Sequence, residues 1–388
     1  MLDAMDVLLY VFAIQTLKSE FHISNATAGL VSSATLIFSA VGGMLAGALS
    51  DRFGRRRTLI WTILTYSIAS GGAATARSIP ELMVWRAIVG LGLGGEWAAG
   101  ATLVAEWWPG KHRGKAMGLM QSGWAVGYML AAGATAAVLP RFGWRALFLV
   151  GVIPGFLVFF VQRHVKEPEV WTGGAAKGHS LTALFRPPLG RTTFLATSVA
   201  TAVLFAYWGL FTWLPGFLSA PVDKGGAGMN VLRTSGWIVV MQAGAFLGYL
   251  SFGWLADRFG RRPAFAGYVV MAAILTPLYG LLPRWAGHGA EVWLLAAGPL
   301  VGFFGSGYFS LFGAMLAELY PTAVRGAGQG FTFNFGRAAS ALAPYAVGAI
   351  ADRSGLGAAL GLNSAFFLIG AALVYRLPET RNTELPSG

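Results

Sequence analysis

A chain of 388 residues that is 55% hydrophobic and only 11% charged departs from soluble domains, in which charged residues make up about 25%. It has no cysteine, which excludes disulfides, thiolate catalysis and iron–sulfur ligation. A net charge of +12 would suit a nucleic-acid binder, but the basic residues cluster in alternate loops, the charge pattern of membrane topology, and no nucleic-acid partner is expected.

Apolar stretches of roughly 20 residues, enough to cross a bilayer as a helix, fall at 1–18, 26–50, 58–77, 80–106, 114–138, 144–164, 191–218, 232–255, 263–283, 291–317, 327–350 and 357–377. The first is short and has no signal-peptide pattern, and a few residues before Met1 are expected to belong to it. It carries Asp3 and Asp6. Between spans 2 and 3 stands Gly47-Ala-Leu-Ser-Asp-Arg-Phe-Gly-Arg-Arg-Arg57. Span 4 holds Arg86 and the run Gly90-x-Gly92-x-Gly94-Gly95-Glu96. These glycines lack the strand and the Gly-Lys-Ser/Thr of a nucleotide loop; within a span they let helices touch. Ala105-Glu-Trp-Trp-Pro and Arg113-Gly114 lead into span 5, where Gly123 and Gly127 make a small-residue face.

The second half repeats the first. Gly253-Trp-Leu-Ala-Asp-Arg-Phe-Gly-Arg-Arg262 lies between spans 8 and 9, and Ala317-Glu-Leu-Tyr-Pro with Arg325-Gly326 lies between spans 10 and 11. Two pairs at nearly one offset mark a duplicated unit. The expected fold is all-α, with twelve transmembrane helices in two pseudo-symmetric six-helix bundles. The bundles cover 1–164 and 191–377, a cytoplasmic linker covers 165–190, and a tail covers 378–388. Arginines and lysines concentrate in loops 2–3, 4–5, 6–7 and 8–9, which places those loops and both termini in the cytoplasm.

The repeated G-x-L-x-D-R-x-G-R-R loop resembles the signature loop of the major facilitator superfamily. Arg86 with the span 4 glycines, and the E-x(6)-R-G loops, resemble its metabolite–proton symporters. Asp3-Ala-Met-Asp6 resembles the D-x-x-D of its sialate, monocarboxylate and aromatic-acid proton symporters. The resemblance covers essentially the whole chain and implies a transporter, not an enzyme, in a bacterial inner membrane. Span 5 lacks the Gly-Pro pair of the superfamily's drug antiporters, which favours symport.

Charges inside apolar spans are expensive and are expected to face a cavity or a partner. Asp6, Arg86, Glu96 and Asp3 are the proton-coupling candidates; a structural ion pair is the bland alternative. Arg337 is about 15 Å into span 11, near the midplane where transporter sites lie, and is the candidate for an anion. Gln121, Tyr128, Tyr207, Gln242, Tyr308 and Asn334, with Trp124 and Trp208, are further candidates for the cavity wall. Trp107, Trp108, Trp213, Trp285 and Trp293 sit at span ends and are expected in the interfacial belt. The gating candidates are Asp51, Arg55, Glu106 and Arg113 in the first half and Asp257, Arg261, Glu318 and Arg325 in the second. Asp51 is expected to address the start of span 11 and Asp257 the start of span 5, while Arg55 and Arg261 pair with Glu106 and Glu318. The five histidines are scattered, so no metal or other cofactor is expected.

The function that follows is proton-coupled uptake of a small organic anion, a carboxylate, by a monomer in the lipid bilayer. Transport of a neutral sugar or polyol, efflux, a transporter-like sensor and a channel are the alternatives.

Overall fold

The computed structural model describes residues 1–107, 110–165, 181–321 and 324–380; of residues 48, 51, 97–107, 110–117, 181, 288, 311, 314 and 317 it describes only the backbone. The described chain is helical, without strands. The helices are α1 (Leu2–Phe21), α2 (Asn25–Phe53), α3 (Arg55–Ala73), α4 (Ile79–Trp107), α5 (Gly110–Val150), α6 (Leu157–His164), α7 (Leu189–Ser219), α8 (Val231–Phe259), α9 (Arg261–Ala286), α10 (Ala290–Ser306), α11 (Phe309–Glu318), α12 (Arg325–Ser340), α13 (Leu342–Ser354), α14 (Leu356–Ala359) and α15 (Leu362–Val374).

The breaks follow the backbone chemistry. Helix α5 runs through span 5 into span 6 and changes direction at Gly143, whose φ of 74° favours glycine. The last three spans are each two helical pieces, α10–α11, α12–α13 and α14–α15. Six stretches among the described residues are long and apolar enough by themselves to cross a bilayer. The other spans carry charges such as Asp3, Asp6 and Lys18 of α1, or are interrupted.

The duplication is visible in the packing. Helix α4 packs on α2 and α3, and α10 packs on α8 and α9; α1 packs on α5, and α7 on α12. The two signature turns are superposable in backbone terms. Gly54 has φ 100°, ψ 154°, and Gly260 has φ 104°, ψ 153°. Both lie in the region that side chains rarely adopt, so each arginine-rich turn needs its glycine. The matching starts of α2 and α8 are both capped by side chains, Ser24 accepting from the Thr27 amide and Asn230 from the Arg233 amide.

The halves meet along α2 against α12 and α13, α5 against α8, and α1 against α7. Within the first half, α2 and α4 touch at backbone distance. A Cβ on Gly94 would lie 1.8 Å from the Ser39 carbonyl oxygen, and one on Gly42 would lie 2.0 Å from that of Leu91. Small residues at such crossings let van der Waals packing hold helices where no hydrophobic force between them operates. Gly94→Leu is expected to destabilise the protein by about 3 kcal/mol or more. Thermal unfolding in detergent would check this, and a parental midpoint would contradict the close crossing.

Candidate functional site

Where the halves meet, two small cavities share Trp124, Trp208 and Arg337. One, of ≈ 40 Å³, is bounded by Asp3 and Val7 of α1, Thr35 and Ser39 of α2, and Leu93 of α4. The other, of ≈ 50 Å³, adds Gln121 of α5, Tyr207 of α7, Tyr249 of α8, Phe309 of α11 and Phe333 of α12. Both have room for a water or two and not for an organic acid. The centre is therefore closed around its own side chains.

Arg337 lies at the boundary of both. Its Nη1 donates to Ser39 Oγ at 3.0 Å across the halves, and its guanidinium sits over the Phe333 ring, 4.8 Å from the centroid. Aromatic walls close round it. Trp124 Nε1 donates to Tyr207 Oη at 2.6 Å, joining α5 to α7. Trp208 packs edge-on against both Trp124 and Tyr207, with centroids 5.9 and 5.5 Å apart. A guanidinium fork framed by ring faces matches a carboxylate attached to a flat apolar body.

The acidic groups lie beside this centre. Asp3 lines the first cavity with Arg337 and is within electrostatic reach of Asp6 and Glu96. Asp6 is fully buried, with the Ser70 hydroxyl beside its carboxylate but no well-formed hydrogen bond to it. Gly151 makes room for it: a Cβ there would lie 2.0 Å from Asp6 Oδ1 and 2.1 Å from Ser70 Oγ. Arg86, 1% exposed, donates from Nη2 to the Val7 carbonyl at 3.3 Å and lies over Tyr10 at 5.2 Å, leaving Nε unpartnered. Asp6 and Arg86 are neighbours without a direct ion pair, so the fixed pair of the bland alternative is not made in this state. Glu96 Oε2 and Tyr66 Oη are also buried, within reach of each other. Buried carboxylates without well-formed hydrogen bonds are costly and concentrate where charge must change.

Several expected wall residues serve packing instead. Tyr128 Oη donates to the Phe211 carbonyl at 2.8 Å, tying α5 to α7. Tyr308 Oη reaches the Val203 carbonyl at 3.3 Å. Asn334 donates to the Gly330 carbonyl at 3.0 Å and turns its Oδ1 toward Gly43 of α2. Gln242 is 1% exposed and lines neither cavity. The belt assignment fails for Trp213, which is fully buried and donates to the Pro344 carbonyl at 2.9 Å, because its span end lies against α13 rather than lipid. Trp285 and Trp293 are exposed as a belt requires.

On the arginine-rich face, Arg261 meets Glu318 at 3.5 Å. The Asp257 carboxylate takes Arg261 one turn away at 2.6 Å and is largely solvent-exposed. Glu379 instead accepts the amides of Arg261 and Arg262 at 2.8 and 3.1 Å, filling the positive N-terminus of α9. Arg55 donates to the Ser50 carbonyl, and Arg325 to that of Tyr320. The side chains of Asp51, Glu106 and Arg113, and all of Trp108, lie outside the described residues, as do the side chain of Trp107 and most of the polar linker.

The opposite face carries a contact the sequence reading missed. Asp352, at the end of α13, accepts from the Asn25 amide at 2.9 Å, Asn25 Nδ2 at 2.8 Å and the Ala26 amide at 3.0 Å. It thus caps the start of α2 from the other half. Asp352→Asn is expected to weaken this closure by about 1–2 kcal/mol, the worth of a charge-assisted cap. Because the chain has no cysteine, spin labels on single cysteines near the ends of α2 and α13 would report it. The open population should rise about tenfold; unchanged distances would contradict a latch.

The profile of the Major Facilitator Superfamily matches residues 1–251 and 228–388. A metabolite transport protein of Haemophilus influenzae is 35% identical, covering 99% of this chain and 95% of its own. A 4-methylmuconolactone transporter of Cupriavidus pinatubonensis is 35% identical over 98% of this chain and 88% of its own. The cis,cis-muconate transport protein of Acinetobacter baylyi is 31% identical over 96% and 88%. In fold, the chain is similar to a xylose transporter from E. coli in a partially occluded inward-open conformation, with TM-score 0.76, 19% identity, and coverage of 99% and 96%. Duplicated half, paired glycine turns, profile match and relatives agree: this chain is an integral membrane transporter, not an enzyme, and belongs to the Major Facilitator Superfamily.

Proposed function

We propose that the protein takes up a small organic anion, a carboxylate on an unsaturated or aromatic body, together with protons, across the bacterial inner membrane by alternating access. The observation that carries this reading is Arg337 framed by Trp124, Trp208 and Phe333, with Asp3 on the same cavity. The guanidinium supplies the anion's counter-charge and the rings supply its flat walls. Relatives named for muconate and muconolactone transport support the substrate class.

Protons enter through the carboxylates. Burial disfavours a charged carboxylate and a neighbouring guanidinium favours it. Asp6 has Arg86 nearby without a direct pair, so a small displacement between α1 and α4 changes that balance. Asp3 lines the cavity with Arg337, where it senses whether that arginine holds an anion. The arginine-rich face is the cytoplasmic one, both termini lie there, and the protein works as a monomer. The test is uptake into proteoliposomes with an inward proton gradient. Aromatic and unsaturated carboxylates should accumulate above equilibrium and leak back when a protonophore is added. Accumulation of a sugar or polyol instead would establish the neutral-solute alternative. Equilibration without accumulation would remove the coupling.

A further inference from the structure

A second concavity lies away from the central cavity. It is an apolar groove of ≈ 640 Å³ on the outer surface of the second half, between α7, α12 and α15. Phe194, Phe331, Phe335, Phe366, Ile369 and Leu373 build its walls. Phe194 is 72% and Phe335 53% exposed, so no described residue covers them. At the arginine-rich end the groove is stopped by Phe185, in the short turn Leu181–Phe185, whose ring meets Phe331 edge-on at 5.2 Å. Inside, Thr197 Oγ1 is buried without a hydrogen-bond partner.

Three arginines stand at that closed end. Arg186 follows Phe185, Arg191 lies one turn before Phe194, and Arg376 lies just past Leu373. All three are exposed, and no hydrogen bond or ion pair among the described residues engages their side chains. A hydrocarbon-lined groove ending in positive charge that no described acidic residue pairs, at a membrane face, is complementary to a molecule with an apolar chain and an anionic head.

We propose that this groove binds an anionic phospholipid, with one acyl chain along the Phe194–Phe335 wall and the phosphate among Arg186, Arg191 and Arg376. Thr197 lies about 9 Å along α7 from Arg191. That places its free hydroxyl below the headgroup, at the level of an ester carbonyl it can donate to. General attraction of basic loops to an anionic membrane would need the arginines alone. A built site needs the groove as well, and the two are separable.

The experiment is native mass spectrometry of the purified full chain with equal added phosphatidylglycerol and phosphatidylcholine. The parent should retain phosphatidylglycerol at least tenfold more tightly, with roughly a fivefold contribution from each arginine. Replacing all three arginines with glutamine should bring the preference close to one. Ala339→Trp fills the groove from an exposed position and leaves every charge in place. It should abolish the retained phosphatidylglycerol while the melting temperature stays parental. Equal retention of the two lipids by the parent would overturn the proposal. So would an undiminished preference in the folded Ala339→Trp variant, or, should that variant not fold, in the triple arginine variant.

Discussion

Asp6→Asn is expected to exchange substrate between equal compartments as fast as the parent and to lose accumulation driven by a pH gradient altogether. The reason lies in the carboxylate's surroundings. Its two oxygens are buried without a well-formed hydrogen bond, Gly151 covers one side, and the Arg86 guanidinium is occupied by the Val7 carbonyl and the Tyr10 ring. A group placed so is poorly suited to permanent charge and well suited to changing it between conformations. Asparagine has nearly the same shape and keeps the neutral form in both states. Exchange requires only that the two halves rock; accumulation requires that a proton be taken on one side and left on the other. Counterflow and gradient-driven uptake, measured on one preparation, separate the two. If the variant accumulates at the parental level, Asp6 is not the carrier, and Asp3 or Glu96 takes its place.

Arg337→Lys is expected to weaken binding of a carboxylate substrate by tenfold to a hundredfold, about 1.5–3 kcal/mol. Arginine serves two directions at once. Its Nη1 is held by Ser39 of the other half, and its flat face rests on Phe333. The planar fork is thereby held at the edge of both cavities. A lysine ammonium is a point charge on a flexible stem and reproduces neither the fork nor the stacking. Ser39→Ala should cost less, because it removes one anchor and leaves the fork. Calorimetric titration would decide: a lysine variant that binds as tightly as the parent excludes bidentate recognition.

Much of the architecture was legible in the sequence because membrane helices announce themselves. Apolar runs of bilayer length, arginines in alternate loops and a twice-written glycine turn gave twelve spans in two halves, and the paired dihedrals of Gly54 and Gly260 show the repeat at the level of single residues. Arg337, Gln121 and Tyr207, which line one cavity, stood out because polar or ionisable groups inside spans are rare. What stayed hidden depends on rotation about helix axes and on contacts between distant segments. Tyr128 and Tyr308 could not be told from wall residues, since their hydroxyls meet carbonyls 83 and 105 positions away. Ser39 carries no signal of its own; an arginine from the other half gives it meaning. Asp352 looked like an ordinary aspartate at a span end, because its partners lie 327 and 326 residues earlier. Gly151 was one glycine among 54.

The seam between α2 and α13 has a kinetic consequence. There a Cβ on Gly29 would lie 2.3 Å from the Pro344 carbonyl oxygen, and one on Gly348 would lie 2.5 Å from that of Asn25. At these two points main chain rests on main chain. Parting such surfaces requires little rotamer rearrangement, so the seam behaves as a bearing rather than a ratchet. Resistance to parting is then expected at the aromatic contact of Trp124 and Tyr207, which ties α5 to α7. If the halves rock as proposed, the centre rather than the α2–α13 seam is then expected to set the pace of turnover.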